Sequence, residues 1–219
     1  FFKSDCLAHF SQDQFLIMTT KDGIIKKSKL EDYSRPRTNG IIAINLKGKD
    51  ELISVHTSSG EDEILISTKM GQAVRFKEEK VRSVGRNSMG VKGITLKDKD
   101  SVVSSEVIKE EGVKILTVTE NGFGKRTEVS KYRLTSRGGK GVTTLKITDK
   151  TGLIVNAFQT ENEDDIVLLS SAGKATRLKT SDISIIGRAT QGVRLMKVGE
   201  DIKVVAVAKI TEKENEWYF

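Results

Sequence analysis

The feature that most constrains this chain is a sequence period of about 50 residues, which occurs four times within its 219 residues. Each copy opens with a short apolar run, Phe15-Leu16-Ile17-Met18 in the first. A turn, Lys21-Asp22-Gly23, leads into a second run, Ile24-Ile25, which becomes basic at Lys26, Lys27 and Lys29. Two apolar runs flanking such a turn read as a β-hairpin. The pattern recurs at Ile64–Lys77 around Gly71, at Ile115–Arg126 around Gly122 and at Ile166–Leu178 around Gly173; these turn glycines are spaced 48, 51 and 51. A connecting segment then reaches a second glycine (Gly40, Gly90, Gly138, Gly192, spaced 50, 48 and 54). A third run follows (41–46, 91–96, 142–147, 193–198), and then a fourth (52–55, 102–103, 153–155, 204–207).

Four strands per unit at this period predict an all-β, propeller-like array, with no segment showing a helical stripe. We expect one domain over 1–219, built from units at about 14–61, 62–111, 112–161 and 162–210. Residues 1–13 read as the remnant of a preceding unit and 211–219 as a tail. Pro36 falls in a connecting segment, where it removes no ladder bond. The chain begins Phe1-Phe2 rather than with methionine, which predicts a piece of a longer polypeptide.

The positions of the charges say more than their total. Residues 23–46 carry five basic and two acidic side chains, 71–96 six and two, 122–146 seven and one, and 173–197 six and one. The whole chain is only +7, so the remainder is strongly acidic, with pairs such as Asp62-Glu63, Glu110-Glu111 and Asp164-Asp165 just ahead of the first strand of a unit. Repetition in phase predicts a basic belt on one part of the surface. Such a belt suits a phosphate backbone, which positions a protein without reading sequence. Aromatic residues make up 5% of the chain and do not recur in phase in these windows, which argues for duplex over stacked single strands. Phe76 and Phe123 read as core.

The densest basic stretch is Tyr132–Val142, YRLTSRGGKGV. Glycine lets a backbone approach a ligand closely, and arginine or lysine supplies charge there. Arg137 and Lys140 are the leading candidates for phosphate contact, with Gly138 and Gly139 shaping the backbone. Lys26, Arg75, Arg126 and Arg177 follow, on the second strands of the hairpins. The belt is completed by Lys27, Lys29, Arg35, Arg37, Lys77, Arg82, Arg86, Lys92, Lys125, Lys131, Arg133, Lys174, Lys179, Arg188 and Arg194.

Little points to other chemistry. Cys6 is the single cysteine, which excludes an internal disulfide and fits a reducing compartment. Cys6 and His9 lack a second pair of ligands for a metal. His56 is isolated, and no residues around Tyr33, Tyr132 or Tyr218 suggest a nucleophile. No phosphate-loop motif is present, and no apolar run is long enough to span a bilayer.

Laid out this way, the repeats resemble the carboxy-terminal domain of the DNA gyrase A polypeptide, which topoisomerase IV carries in more degenerate form. The resemblance rests on DGIIKKSKLEDYSRPRTNGIIAINL, DEILISTKMGQAVRFKEEKVRSVGRNSMGVKGITL, ILTVTENGFGKRTEVSKYRLTSRGGKGV and GKATRLKTSDISIIGRATQGVRL, and covers nearly all of Gln14–Ala208. The nearest match to the gyrase box Q-R-R-G-G-[R/K]-G is Thr135–Gly141, without the leading Gln and one Arg. The resemblance implies a β-pinwheel, a disc whose blades exchange strands, with a basic rim that bends duplex DNA. It implies a non-catalytic segment of an ATP-dependent type IIA topoisomerase that introduces negative supercoils. No cofactor is expected in this segment, ATP and Mg being used elsewhere in the holoenzyme. The implied partners are duplex DNA, the rest of the gyrase A polypeptide and the gyrase B polypeptide, which is the ATPase. The implied location is a bacterial cytoplasm, at the nucleoid and away from any membrane. The alternatives are the topoisomerase IV domain and a protein-interaction propeller, which would need exposed apolar anchors.

Overall fold

The computed structural model describes residues 14–35 and 38–210. Apart from short 3-10 turns, the regular elements are strands, in chain order β1 (Phe15–Thr20), β2 (Ile24–Lys29), β3 (Leu52–Ser58), β4 (Glu63–Thr68), β5 (Gln72–Lys77), β6 (Val91–Lys92), β7 (Val102–Ile108), β8 (Lys114–Thr119), β9 (Phe123–Glu128), β10 (Val142–Thr143), β11 (Ile154–Thr160), β12 (Asp165–Ser170), β13 (Ala175–Lys179), β14 (Val193–Arg194) and β15 (Val204–Ile210). Cys6, His9, Tyr218 and Arg37 lie outside the described residues.

The hairpins form where the sequence pattern predicts them. β1 pairs β2, β4 pairs β5, β8 pairs β9 and β12 pairs β13, all antiparallel. Each turn closes with a glycine in the left-handed region, at φ 83, 82, 77 and 78° for Gly23, Gly71, Gly122 and Gly173. A hydroxyl residue precedes each turn by the same interval. Thr20, Thr68, Thr119 and Ser170 accept at the main-chain oxygen from the glycine N–H, at 3.0–3.1 Å. Their side-chain oxygens accept from the next residue's N–H at 3.1–3.3 Å. The turn is thus specified by two residues, the hydroxyl and the glycine, as three-residue hairpin loops require.

The third run departs from expectation. It forms only the two-residue strands β6, β10 and β14, and each pairs with the preceding repeat rather than its own. The sheet orders are β3-β1-β2-β6, β10-β5-β4-β7 and β11-β8-β9-β14, with a three-stranded β13-β12-β15. Thus Val91 and Lys92 pair Ile25 and Ile24, and Val193 and Arg194 pair Gly124 and Phe123. Among the described residues, 41–46 form no strand and β13 has no fourth partner. Strand exchange between repeats is the β-pinwheel arrangement, and it explains the second glycine. A β-carbon on Gly90 would lie 2.5 Å from the Ile25 oxygen, one on Gly141 2.4 Å from the Ala73 oxygen, and one on Gly192 2.6 Å from the Gly124 oxygen. The residue equivalent to Gly90 and Gly192 is therefore Gly141, not Gly138, which corrects the glycine spacings to 50, 51 and 51.

The fold divides into two compact units. Among the described residues, the first comprises 14–35, 38–67, 73–109 and 133–142; the second comprises 68–72, 110–132 and 143–210. The core of the first is built from Ile17, Ile25, Ile64, Ile66, Val74, Phe76, Val81, Ile94, Val102 and Val107. That of the second is built from Leu116, Val118, Ile166, Leu168, Ile183, Met196, Val204 and Val207. Each such side chain contributes roughly 1.5–3 kcal/mol by leaving water. Phe76 and Phe123 are buried, as the sequence suggests.

Candidate nucleic-acid interface

The basic residues divide into two populations. The first lies on the second strands of the hairpins; β2, β5 and β9 are each flanked on an edge by the connecting segment of the following repeat, and β13 has no such cover among the described residues. That segment runs parallel to the strand, bridging Lys27 to Ser83, Arg75 to Leu134 and Arg126 to Ile185. Val84 N–H donates to the Lys27 oxygen at 2.9 Å, Thr135 N–H to Arg75 at 2.8 Å, and Ile186 N–H to Arg126 at 2.9 Å.

The cations in the middle of β2, β5 and β9 are consumed internally. Lys26 is fully buried, and its ammonium donates to the Ala43 oxygen at 2.7 Å and to the Arg86 oxygen. Lys125, at the equivalent position, donates to Gly187 O at 2.6 Å, Thr190 Oγ1 at 3.0 Å and the Arg188 oxygen. Burial, assisted by the nearby Arg188 charge, lowers the Lys125 pKa to about 8. The Lys26 pKa is also lowered by burial, against a partial counter-effect of Asp32. One position further on, Lys27 pairs with the buried Glu78 at 2.8 Å. Glu78 also accepts from Ser58 Oγ at 2.8 Å and from the N–H groups of Gly60 and Asp62 at 3.2 and 3.3 Å. Arg126 instead donates to Asn162 Oδ1 at 2.8 Å, Ile183 O at 2.9 Å and Ser181 O at 3.4 Å. Arg75 is paired with Glu63 through Nε at 2.6 Å, and Arg177 with Asp165 at 2.7 Å.

These observations correct the expected belt. Lys26, Lys27, Lys125 and Arg126 cannot meet a phosphate without leaving the interior. Arg75 is held by a carboxylate. Arg177 sits at the same register but is about half exposed, because no fourth strand covers β13 among the described residues.

The second population lies in the connecting segments and at the strand ends. Lys29, Arg35, Lys77, Arg82, Lys92, Lys131, Arg133, Gly139, Lys140, Lys174, Lys179 and Arg194 are exposed. Arg86, Arg137, Gly138 and Arg188 are half-buried. Of the exposed group, Lys29 reaches Glu31 at 3.3 Å and Lys131 reaches Glu128 at 3.9 Å, pairs of little energetic weight in water. Arg137 is partly committed: Nε donates to the Lys80 oxygen at 3.1 Å and Nη1 to the Lys92 oxygen. Arg188, its counterpart one repeat on, donates to the Thr143 oxygen at 2.8 Å. Both arginines thus staple a connecting segment to the exchanged strand of the repeat before it. Their guanidinium groups can offer charge, but their backbone role comes first.

The glycine-rich loop 137–141 lies beside Ala73 and Arg75, the neighbours of Val74, which stands in β5 where the first and third hairpins carry Lys26 and Lys125. Lacking an ammonium to hold it, this loop is tied by its own backbone. Gly138 N–H donates to Gly93 O at 2.8 Å, Thr95 N–H to Gly139 O at 2.9 Å, and Thr95 Oγ1 to Gly138 O at 2.6 Å. Gly138, at φ 81°, permits that path. The result is a hollow of about 270 Å3 beside β5, lined by Arg75, Arg133, Ser136, Gly139 and Lys140 among others. Arg133, Ser136 and Lys140 are exposed there and can offer two charges and a hydroxyl to an anion. Ser136 escapes any sequence reading that counts only charge, although a hydroxyl beside arginine and glycine is a common phosphate donor.

Among the described residues no catalytic constellation emerges. Tyr132 is fully buried, its hydroxyl 2.5 Å from Thr144 Oγ1, and burial raises its pKa. Tyr33 donates to the Ala43 oxygen at 3.1 Å, and burial raises its pKa as well. His56 faces Ile17 across the sheet in β3. Among the described residues no group of three or more acidic, His or Cys side chains could hold a metal, and no helix is long and apolar enough to cross a membrane.

Comparison with known proteins agrees with this architecture. The family described as "DNA gyrase C-terminal domain, beta-propeller" matches residues 14–59, 62–109, 114–161 and 164–211. The chain is 47% identical over 206 residues to the DNA gyrase A polypeptide of Staphylococcus epidermidis, covering 94% of this chain and 23% of that protein. It is 46% identical over 207 residues to the Staphylococcus aureus counterpart, again covering 94% and 23%. The chain therefore spans about a quarter of the length of these relatives. Among solved structures it is similar to the C-terminal domain of DNA topoisomerase IV, with a TM-score of 0.87 at 27% identity, covering 93% of this chain and 64% of that one. It is also similar to the DNA gyrase A C-terminal domain, with a TM-score of 0.82 at 30% identity, covering 92% and 67%. By its four matched repeats and their exchanged strands, the chain belongs to the DNA gyrase C-terminal domain family.

Proposed function

We propose that the chain binds duplex DNA without reading its sequence and bends it, as the DNA-wrapping part of a gyrase A polypeptide that supports ATP-dependent negative supercoiling. The carrying observation is the exposed set around loop 137–141: Arg133, Lys140 and Ser136 ring a hollow, with Lys92 and Arg82 exposed in the same unit. Lys174, Lys179 and Arg194 offer exposed charge in the second unit. Contact through charge alone favours any duplex and rewards one that bends to meet more of the surface. In this reading DNA cleavage lies in the remainder of the gyrase A polypeptide, ATP binds the gyrase B polypeptide, and Mg is likewise used elsewhere in the holoenzyme. The holoenzyme works in the cytoplasm at the bacterial nucleoid.

A salt titration of duplex binding tests this. Each phosphate neutralised contributes about −0.9 to the slope of log K against log salt. A steep slope, shared by unrelated sequences, is expected; affinity that barely changes with salt would contradict it. The structural likeness to topoisomerase IV supports a second reading, in which the same surface senses the geometry of the DNA substrate. Supercoiling by the holoenzyme distinguishes the two, since the second reading requires relaxation without negative supercoiling.

A further inference from the structure

We propose that Leu134 in the first unit and Ile185 in the second are apolar contacts to the deoxyribose edge of the duplex backbone, set among the cations that meet its phosphates. This rests on the proposed function and names what that surface recognises besides charge. Between successive phosphates a DNA backbone presents a sugar with no hydroxyl at its 2′ carbon. A leucine or isoleucine packed there removes apolar area from water on both partners. A 2′-hydroxyl in the same place would be buried against hydrocarbon without a hydrogen-bond partner, which costs free energy.

Each of the two occupies the bridged position of its connecting segment, Leu134 beside Arg75 and Ile185 beside Arg126. The main chain on which they stand is fixed. Thr135 donates to the Arg75 oxygen through its N–H at 2.8 Å and through Oγ1 at 3.1 Å. Around Ile185, the Arg126 N–H donates to the Ser184 oxygen at 3.0 Å and the Ile186 N–H to the Arg126 oxygen at 2.9 Å. Yet Leu134 is 44% exposed and Ile185 45%. A single exposed leucine is ordinary on a protein surface. Here the same register exposes an apolar residue in both units. Among the described residues, each is the one large apolar side chain exposed in its segment, 131–141 or 180–191.

Their neighbours supply the polar half of the contact. Arg133, just before Leu134, is exposed, and Ser136 and Lys140 follow it around the hollow beside β5. Ile185 stands between exposed Ser184 and the exposed Gly187, with half-buried Arg188 next. The third bridged residue, Ser83 beside Lys27, is small and half-buried and offers no such side chain. Cations hold phosphates whatever the sugar, and salt weakens that hold through counterion release. An apolar contact releases no counterion, so the two kinds of contact separate in a salt titration.

The test is a salt titration of duplex binding by two double variants. Leu134→Asn/Ile185→Asn is close in size but polar; Leu134→Met/Ile185→Met keeps the apolar surface. The polar variant should lose affinity roughly tenfold at every salt concentration with an unchanged slope, and the apolar variant should stay within about twofold of the unaltered protein. The unaltered protein should also prefer an all-deoxy duplex to the same duplex carrying scattered ribonucleotides, and the polar variant should lose that preference. A polar variant that binds as the unaltered protein does, that changes the slope, or that keeps the preference would overturn the proposal. A loss shared by the apolar variant would overturn it too. Unaltered protein that binds no duplex would remove the proposed function and this contact with it; duplex binding that the polar variant leaves unmoved removes the contact alone.

Discussion

The second strands of the hairpins and the connecting segments carry the same kinds of cation, in phase, yet the charge has opposite fates. On β2 and β9 the ammonium groups of Lys26 and Lys125 and the guanidinium of Arg126 spend their donors on backbone carbonyls and Asn162. In segment 133–140 Arg133 and Lys140 stand in water beside a hollow. The difference follows from strand exchange. Where the next repeat covers the outer edge of a second strand, as on β2 and β9, the charges in mid-strand are satisfied within the fold; a connecting segment is the covering layer, so Arg133 and Lys140 face out while Arg137 and Arg188 are partly spent on neighbouring carbonyls. Phase alone cannot separate the two, because the fold repeats its internal cations as faithfully as its external ones.

The largest effect expected from this contrast is at Glu78. Removing its charge with Glu78→Leu leaves Lys27 buried and unpaired, which should destabilise the fold by about 3–5 kcal/mol. Urea unfolding would measure it, and a loss below about 1 kcal/mol would show that Lys27 reaches water and belongs with the exposed set.

Lys125→Met should cost about 1–3 kcal/mol for each carbonyl left without a donor, softened because Val74 shows that an apolar side chain packs at this register. The pH dependence sharpens the test. Burial lowers the Lys125 pKa from 10.5 to about 8, so between those values the unfolded chain holds more protons than the folded one. This group's contribution to stability therefore rises with pH across that window and is a constant cost below it. Lys125→Met should flatten that rise, and an unchanged profile would place the shifted titration elsewhere.

In the connecting segment the effects reverse. Arg133→Ala and Lys140→Ala should leave stability within about 0.5 kcal/mol. Each should weaken binding to all duplexes alike and flatten the salt slope by about one unit. Arg137→Ala is expected to do both, because it removes a charge and also the staple to Lys92. Separating affinity from stability by calorimetry and filter binding on the same preparation would check it. The smallest change is expected from Ser136→Ala, a few tenths of a kcal/mol in affinity for one neutral hydrogen bond, with no change in salt slope.

Much of the fold is legible because its turns are written locally. A glycine at positive φ in every turn marks the hairpins, and the hydroxyl before each turn is an equally regular signal that a search for apolar runs passes over. The third run reads as a full strand and is not one. Its apolar content is real, but only two residues of it reach a ladder, and pairing with a different repeat leaves no local trace. Gly138 aligns with Gly90 by eye because RGGKG offers three glycines, and only the approach of Gly141 to the Ala73 oxygen selects among them. The buried lysines are hidden by their own charge. The clue is Val74, an apolar residue in register with Lys26 and Lys125, which marks that position as interior.

The most direct test of the central claim is end-to-end fluorescence transfer on a short duplex titrated with the chain, comparing the unaltered protein with the Arg133→Ala/Lys140→Ala variant. The account predicts that the duplex ends approach on binding, and that the variant loses most of that approach while keeping its thermal stability. Binding without any approach of the ends, or an approach that the variant leaves unchanged, would contradict it.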